Sequence, residues 1–162
     1  MSKKNLSLHI FFTFLCGFVL HISYESSGAA VWSILISSTN GSPWELTKPF
    51  LLVYIFWSFL EMSCHRPHLL HYVCTRILSL HVFCWLSLGT LSVLRLLTDH
   101  KLILFGGLLL CLTLSEMLLW HWYASACRFE LFFVPILLSM FVLFFCLLFC
   151  SVHPMPLPFF SP

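Results

Sequence analysis

Five stretches of this chain are long and apolar enough to be helices in a hydrocarbon solvent, and almost nothing between them is polar enough to form a soluble module. Crossing a bilayer takes about 20 mostly apolar residues. The runs cover residues 6–23, 43–62, 77–94, 102–122 and 129–150. Of 162 residues, 60% are hydrophobic, 9% are charged and 18 are Phe, where a soluble domain carries roughly a quarter charged residues. The fold class that follows is all-α: an integral membrane bundle of about five transmembrane helices, built as a single membrane domain over residues 1–162.

The same numbers bound what the chain can do. A formal net charge of +2 with scattered Lys and Arg excludes a nucleic-acid footprint. Cys16, Cys64, Cys74, Cys84, Cys111, Cys127, Cys146 and Cys150 lie mostly inside apolar segments. They read as small apolar fillers rather than a disulfide framework. None of the common catalytic or phosphate-binding signatures is present. No cofactor is expected, and the five runs do not divide into the two halves of an inverted-repeat transporter.

Between the first two runs lies a polar loop, residues 24–42, which holds an apolar island, residues 31–36. The island is too short to span and belongs at the interface or in a shallow re-entrant dip. Ser42, Pro43 and Glu45 carry the start signal of a helix, with N-cap, first helical position and capping-box acid in order. After the last run, proline recurs at residues 154, 156, 158 and 162, so residues 151–162 should lie extended along the membrane surface.

Counting basic residues by loop places the N-terminus in the cytoplasm and the C-terminus outside. Lys3 and Lys4 precede the first run, the 24–42 loop has no Lys or Arg, and Arg66, Arg76 and Arg128 flank the inner turns. Lys48, Arg95 and Lys101 oppose that bias. A cleaved signal peptide ending near Ser27, Gly28 and Ala29 is the competing account of the first run.

With this topology the outer ends of the first two spans converge. His21 and Glu25 share a face if the helix continues past Tyr24, and Glu45 and Lys48 share another. With Tyr24, Asn40 and Trp44 they form a polar outer cluster: His21, Tyr24, Glu25, Asn40, Trp44, Glu45 and Lys48. Three readings fit it: a self-paired network that locks helices together, a proton- or ligand-handling site, or a metal site from His21, Glu25 and Glu45. A second histidine-rich stretch, from Cys64 through His65, His68 and His71 to Cys74, lacks the spacing of a structural zinc site and reads as an interfacial turn.

Glu116 is an intramembrane acid and must face protein or water, with Arg76 and Glu61 as possible neighbours on the inner half. Trp120, Trp122 and Tyr123 suit an interfacial aromatic belt. Gly106 and Gly107 suit close helix approach, and Pro135 a kink in the last helix.

The two outer motifs, residues 20–28 (LHISYESSG) and 40–48 (NGSPWELTK), resemble those of an uncharacterised family of small bacterial multi-pass membrane proteins, domain of unknown function 6512. That family has Leu-His-x-x-Tyr-Glu-Trp-Ser-Gly, then Asn-Glu-Ser-x-Trp-Glu-His-x-Lys at a similar distance. His21, Tyr24, Glu25, Gly28, Asn40, Ser42, Trp44, Glu45 and Lys48 match it. Ser26, Gly41 and Leu46 depart, standing where the family favours Trp, Glu and His. The resemblance implies a bacterial cytoplasmic membrane location and an uncleaved first span, and the departures would remove two ligand- or proton-carrying groups.

The function expected from the sequence is non-enzymatic binding of a small ligand or a membrane partner protein at the outer cluster, in contact with the lipid bilayer. The alternative is a small transporter or proton-coupled permease component, which requires a polar path from Glu45 to Glu116. A metal-dependent intramembrane enzyme is the third reading.

Overall fold

The computed structural model describes residues 3–27, 31–38, 41–64, 69–98, 100–124 and 129–152. Six helices follow in order: α1 (Lys3–Ser26), α2 (Val31–Ile36), α3 (Pro43–Cys64), α4 (Leu69–Leu97), α5 (Lys101–Ala124) and α6 (Phe133–Val152), the last preceded by a 3₁₀ turn at Phe129–Phe132. The described residues contain no strand. Among the described residues, three helical segments are long and apolar enough to cross a membrane: Leu6–Ser23, Leu69–Leu97 and Lys101–Ala124.

α4 is the central helix, packing against α3, α5 and α6, while α1 packs against α3 and α5. α4 and α5 form a hairpin closed by local bonds. Thr98 N donates to the Leu94 carbonyl at 2.8 Å, and the His100 carbonyl accepts from Ile103 N at 3.0 Å, starting α5. The apolar core runs through Phe50, Leu51, Leu80, Phe83, Leu88, Leu91, Leu108 and Leu112.

Helix starts and stops follow the local chemistry, with several departures from the apolar runs. Ser42 caps α3, its Oγ accepting from Glu45 N at 3.3 Å and its carbonyl from Leu46 N at 2.8 Å. The island at 31–36 is the short helix α2. α4 begins at Leu69, eight residues before the apolar run at 77. Its first turns carry Tyr72, Thr75 and Arg76, all buried, and a hydropathy window rejects such residues although each finds a partner inside the protein. Arg76 therefore does not flank a turn, as the loop count had placed it. Pro135 stands in the first turn of α6, where its missing N–H costs nothing, so it is not a mid-helix kink. Pro49, inside α3, is the proline that removes an internal helical bond. α6 continues through Val152, and the proline-rich tail from residue 153, like residues 65–68 of the histidine-rich stretch, lies outside the described residues.

The distribution of side chains is inverted relative to a soluble protein. Phe11, Trp85, Leu96, Leu102, Phe141 and Phe145 are exposed, whereas His9, Thr13, Lys48, Glu61, Arg76 and Glu116 are buried. Water does not select that arrangement, because charged residues are almost never fully buried in a soluble fold. A hydrocarbon surround does, since there every polar group must be satisfied internally.

Small residues set two close approaches. A Cβ on Gly17 would lie 2.5 Å from Phe50 Cδ1, and one on Gly107 2.6 Å from Leu94 Cδ1. Gly106 meets nothing within 4 Å, so of the glycine pair only Gly107 serves packing. Gly17→Ala should lower the thermal unfolding temperature in detergent by an overpacking cost of about 1–3 kcal/mol. Gly106→Ala should leave that temperature unchanged or slightly raised, because Ala is the better helix former.

Candidate functional site: two buried polar clusters

The helices bring polar residues together at both ends of the bundle. At the end where α1 finishes and α3 begins, Lys48 Nζ lies 2.8 Å from Glu45 Oε2 and donates to the Ile34 carbonyl at 2.7 Å. Ser37 Oγ donates to the His21 carbonyl at 2.9 Å, joining the chain after α2 to α1. Arg95, at the end of α4, donates to the Gly41 carbonyl, and Gly41 adopts φ 66°, a conformation open to glycine without strain. The His21 ring packs edge-on against Phe105, with centroids 5.1 Å apart. Trp44, Glu45 and Lys48 are all buried.

Of the residues the sequence assigns to this cluster, the structure brings Glu45 and Lys48 into contact, with Trp44 next to Glu45 on α3, whereas the His21 ring meets Phe105 of α5 and its carbonyl binds Ser37. The side chains of Tyr24 and Glu25, and all of Asn40, lie outside the described residues. Among the described residues no group of three His, Cys, Asp or Glu side chains is arranged to hold a metal ion.

The second cluster lies at the opposite end and is the larger. Arg76 on α4 is its centre. Nη1 donates to Glu116 Oε1 on α5 at 2.8 Å, Nη2 pairs with Glu61 Oε2 on α3, and Nε donates to Tyr72 OH at 3.0 Å. Tyr72 OH in turn donates a hydrogen bond to Glu61 Oε2 at 2.9 Å. The guanidinium carbon lies 5.6 Å from the Tyr54 ring centroid and 5.5 Å from that of Tyr72, within cation–π range. His9 on α1 completes the set: its Nδ1 is 2.9 Å from Glu116 Oε1 and 3.1 Å from Arg76 Nη1. The His9 ring stacks on Trp57, with centroids 5.7 Å apart and planes 15° from parallel. Beneath, Tyr54 OH donates to Ser79 Oγ at 2.8 Å, and Ser79 Oγ to the Ser115 carbonyl at 2.7 Å.

Glu116 thus faces protein, with Arg76 and Glu61 at hand. His9, Tyr54 and Tyr72 were not singled out in the sequence. The signal that finds them is helical spacing: His9, Thr13 and Gly17 on α1, Tyr54, Ser58 and Glu61 on α3, and Tyr72, Arg76 and Ser79 on α4 each recur every three or four residues, the period of one helix face. Beside the cluster, α3, α4 and α6 form an open-sided pocket of about 70 Å³, lined by Tyr54, Ser58, Tyr72, Arg76, Leu80 and Met140 among others.

Comparison with family models, with curated proteins and with solved structures gives no match. What the chain does must therefore be argued from these two clusters.

Arg76→Met should destabilise the protein by about 3–5 kcal/mol or more, because it leaves two carboxylates buried without a cation. Arg76→Lys should recover only part of this, since one ammonium cannot reproduce the fork that serves Glu61, Glu116 and Tyr72 together. Adding Glu61→Gln and Glu116→Gln to Arg76→Met should restore most of the loss, measured as thermal unfolding in one detergent.

Proposed function

We propose that the chain is a multi-pass protein of a bacterial cytoplasmic membrane, crossing it five times through α1, α3, α4, α5 and α6 with its N-terminus inside. On this reading it acts by binding a small ligand or membrane partner rather than by catalysis. The likeness of its two motifs to the uncharacterised membrane family supports this placement, and so does the burial of Ser42, Trp44, Glu45 and Lys48 at one junction.

The observation that carries the binding reading is how the strong groups are used. Lys48 is engaged by Glu45 and a carbonyl, and Arg76 by two carboxylates and a phenol. Groups already paired to one another hold a shape, and they leave the neighbouring space to select a ligand. That space is the cavity against Tyr72 and Arg76, whose remaining wall is mostly apolar, including Ile55, Phe59, Met62, Ile77, Leu80 and Met140. With those polar groups already engaged, the surface it offers is apolar, and it suits a small apolar molecule. The transporter reading is weaker, because α3 sets Phe50, Leu51 and Tyr54, at most 1% exposed, between the two clusters where a polar path would run.

Native mass spectrometry of detergent-purified protein tests this. A stoichiometric small-molecule adduct is expected on the wild type, and it should be lost in Met140→Trp, which fills the cavity without touching the charges. Absence of an adduct, or one indifferent to Met140→Trp, would overturn the assignment. Epitope tags inserted after residue 38 and after residue 64 should be accessible from opposite sides of the membrane.

A further inference from the structure

The Arg76 cluster does not balance its charge. Two carboxylates, Glu61 and Glu116, face one guanidinium, and all three side chains are no more than 8% exposed. With neutral His9 the assembly holds one negative charge in excess. An uncompensated charge out of water costs several kcal/mol.

The geometry offers one place to cancel it. Glu116 Oε1 and His9 Nδ1 are 2.9 Å apart, too close to admit anything but a hydrogen between them. Arg76 Nη1 approaches the same two atoms, at 2.8 Å from Oε1 and 3.1 Å from Nδ1. A ring nitrogen cannot accept from Arg76 and donate to Glu116 at once. Nδ1 therefore has two states. Bare, it accepts from the guanidinium. Protonated, it donates to Glu116 and releases that Arg76 N–H toward Tyr54 OH, 3.4 Å away.

Three buried polar atoms around the pair have no hydrogen-bond partner among the described residues: His9 Nε2, Glu116 Oε2 and Thr13 Oγ1. The pair is thus held tightly on one side and loosely on the other, so it can change its protonation while Glu116 keeps its bond to Arg76. The charged and titratable groups facing it are Tyr54 and Glu61 from α3 and Tyr72 and Arg76 from α4. Among the described residues α1 supplies His9 alone, and α5 supplies Glu116 alone.

We propose that His9 and Glu116 form a proton-binding site inside the bundle, which takes up one exchangeable proton, neutralises the Arg76 cluster and switches His9 from acceptor of Arg76 to donor to Glu116. The site links α1 to α4 and α5, so the proton sets how firmly α1 is held. This inference stands apart from the cavity ligand: protonation could be shown with no ligand bound, and a ligand with no protonation.

The test uses the whole protein in detergent micelles. Nitrogen NMR of histidine-labelled protein, over about pH 4 to 9 to bracket ordinary carboxyl and imidazole titrations, should show one resonance, absent from His9→Gln, that changes protonation state in a single step. In Glu116→Gln the charge excess is gone and that step should be lost. Should His9→Gln not fold, Trp57 reports instead: wild-type fluorescence should step at the same pH, and the step should vanish in Trp57→Phe. Thermal stability should vary with pH across that step in the wild type and be flat there in Glu116→Gln. A His9 signal that keeps one state throughout, or titrates identically in Glu116→Gln, overturns the proposal. So does a response to sodium replacing choline at constant pH and ionic strength, which would make the ligand a metal cation.

Discussion

A guanidinium placed among hydrocarbon side chains dictates the arrangement of everything within its reach. Arg76 cannot be left unpaired at 4% exposure, and it presents five N–H donors in a rigid plane. Its demands are met only if Glu61 and Glu116 arrive at the same height on helices that flank α4 from different sides. The register of α3 against α4 and of α4 against α5 is therefore fixed by hydrogen bonding at one point. Apolar packing alone would specify it poorly, because lipid tails are as apolar as Leu and give helices little reason to prefer one another. The cluster acts here as a device for register, which is the best-attested use of a buried ion group.

The opposite end solves the same problem with a balanced pair. Lys48 and Glu45 are three residues apart on one helix, so their contact ties no two helices directly. The link to a neighbour comes from the third partner, the Ile34 carbonyl of α2, a group already present in the backbone. An ammonium with rotatable donors suits this task, and the planar fork of an arginine suits the other. One end holds the short helix α2 against α3, and the other holds four helices against each other.

How much of this could be read in advance follows from which signals are local. The cap at Ser42 and the proximity of Glu45 to Lys48 depend only on neighbours in sequence, and both were visible there. The all-helical class was visible in the apolar runs. Glu116 stood out because a lone carboxylate in a leucine-rich stretch is conspicuous, and Arg76 and Glu61 could be named as neighbours without a pairing being assigned. His9 was hidden because one histidine near the end of an apolar run is unremarkable, and Tyr54 and Tyr72 because tyrosine passes for an aromatic filler. The third apolar run, begun at residue 77, was drawn short of the interior part of α4 for a related reason. Hydropathy treats Tyr72, Thr75 and Arg76 as interfacial, whereas helix-to-helix contacts, which no single segment reveals, make them interior.

The way the helices are joined also determines which of them can yield. Described polar ties connect α1 to α4 and α5 through His9, α3 to α4 through Glu61, and α4 to α5 through Glu116. α6 joins by apolar contacts: Ile136 meets Cys74 and Ile77, and Leu143 and Cys150 close onto the main core. In a hydrocarbon surround such contacts compete with lipid on nearly equal terms, whereas parting two charged partners costs several kcal/mol. Displacing α6 is thus cheaper than displacing any helix that carries a charge of the cluster. Met140 of α6 forms one wall of the cavity beside Tyr72 and Arg76. A molecule entering that pocket from the bilayer would meet the one wall held by packing alone, while the α3 and α4 walls, tied together through Arg76 and Glu61, stayed fixed.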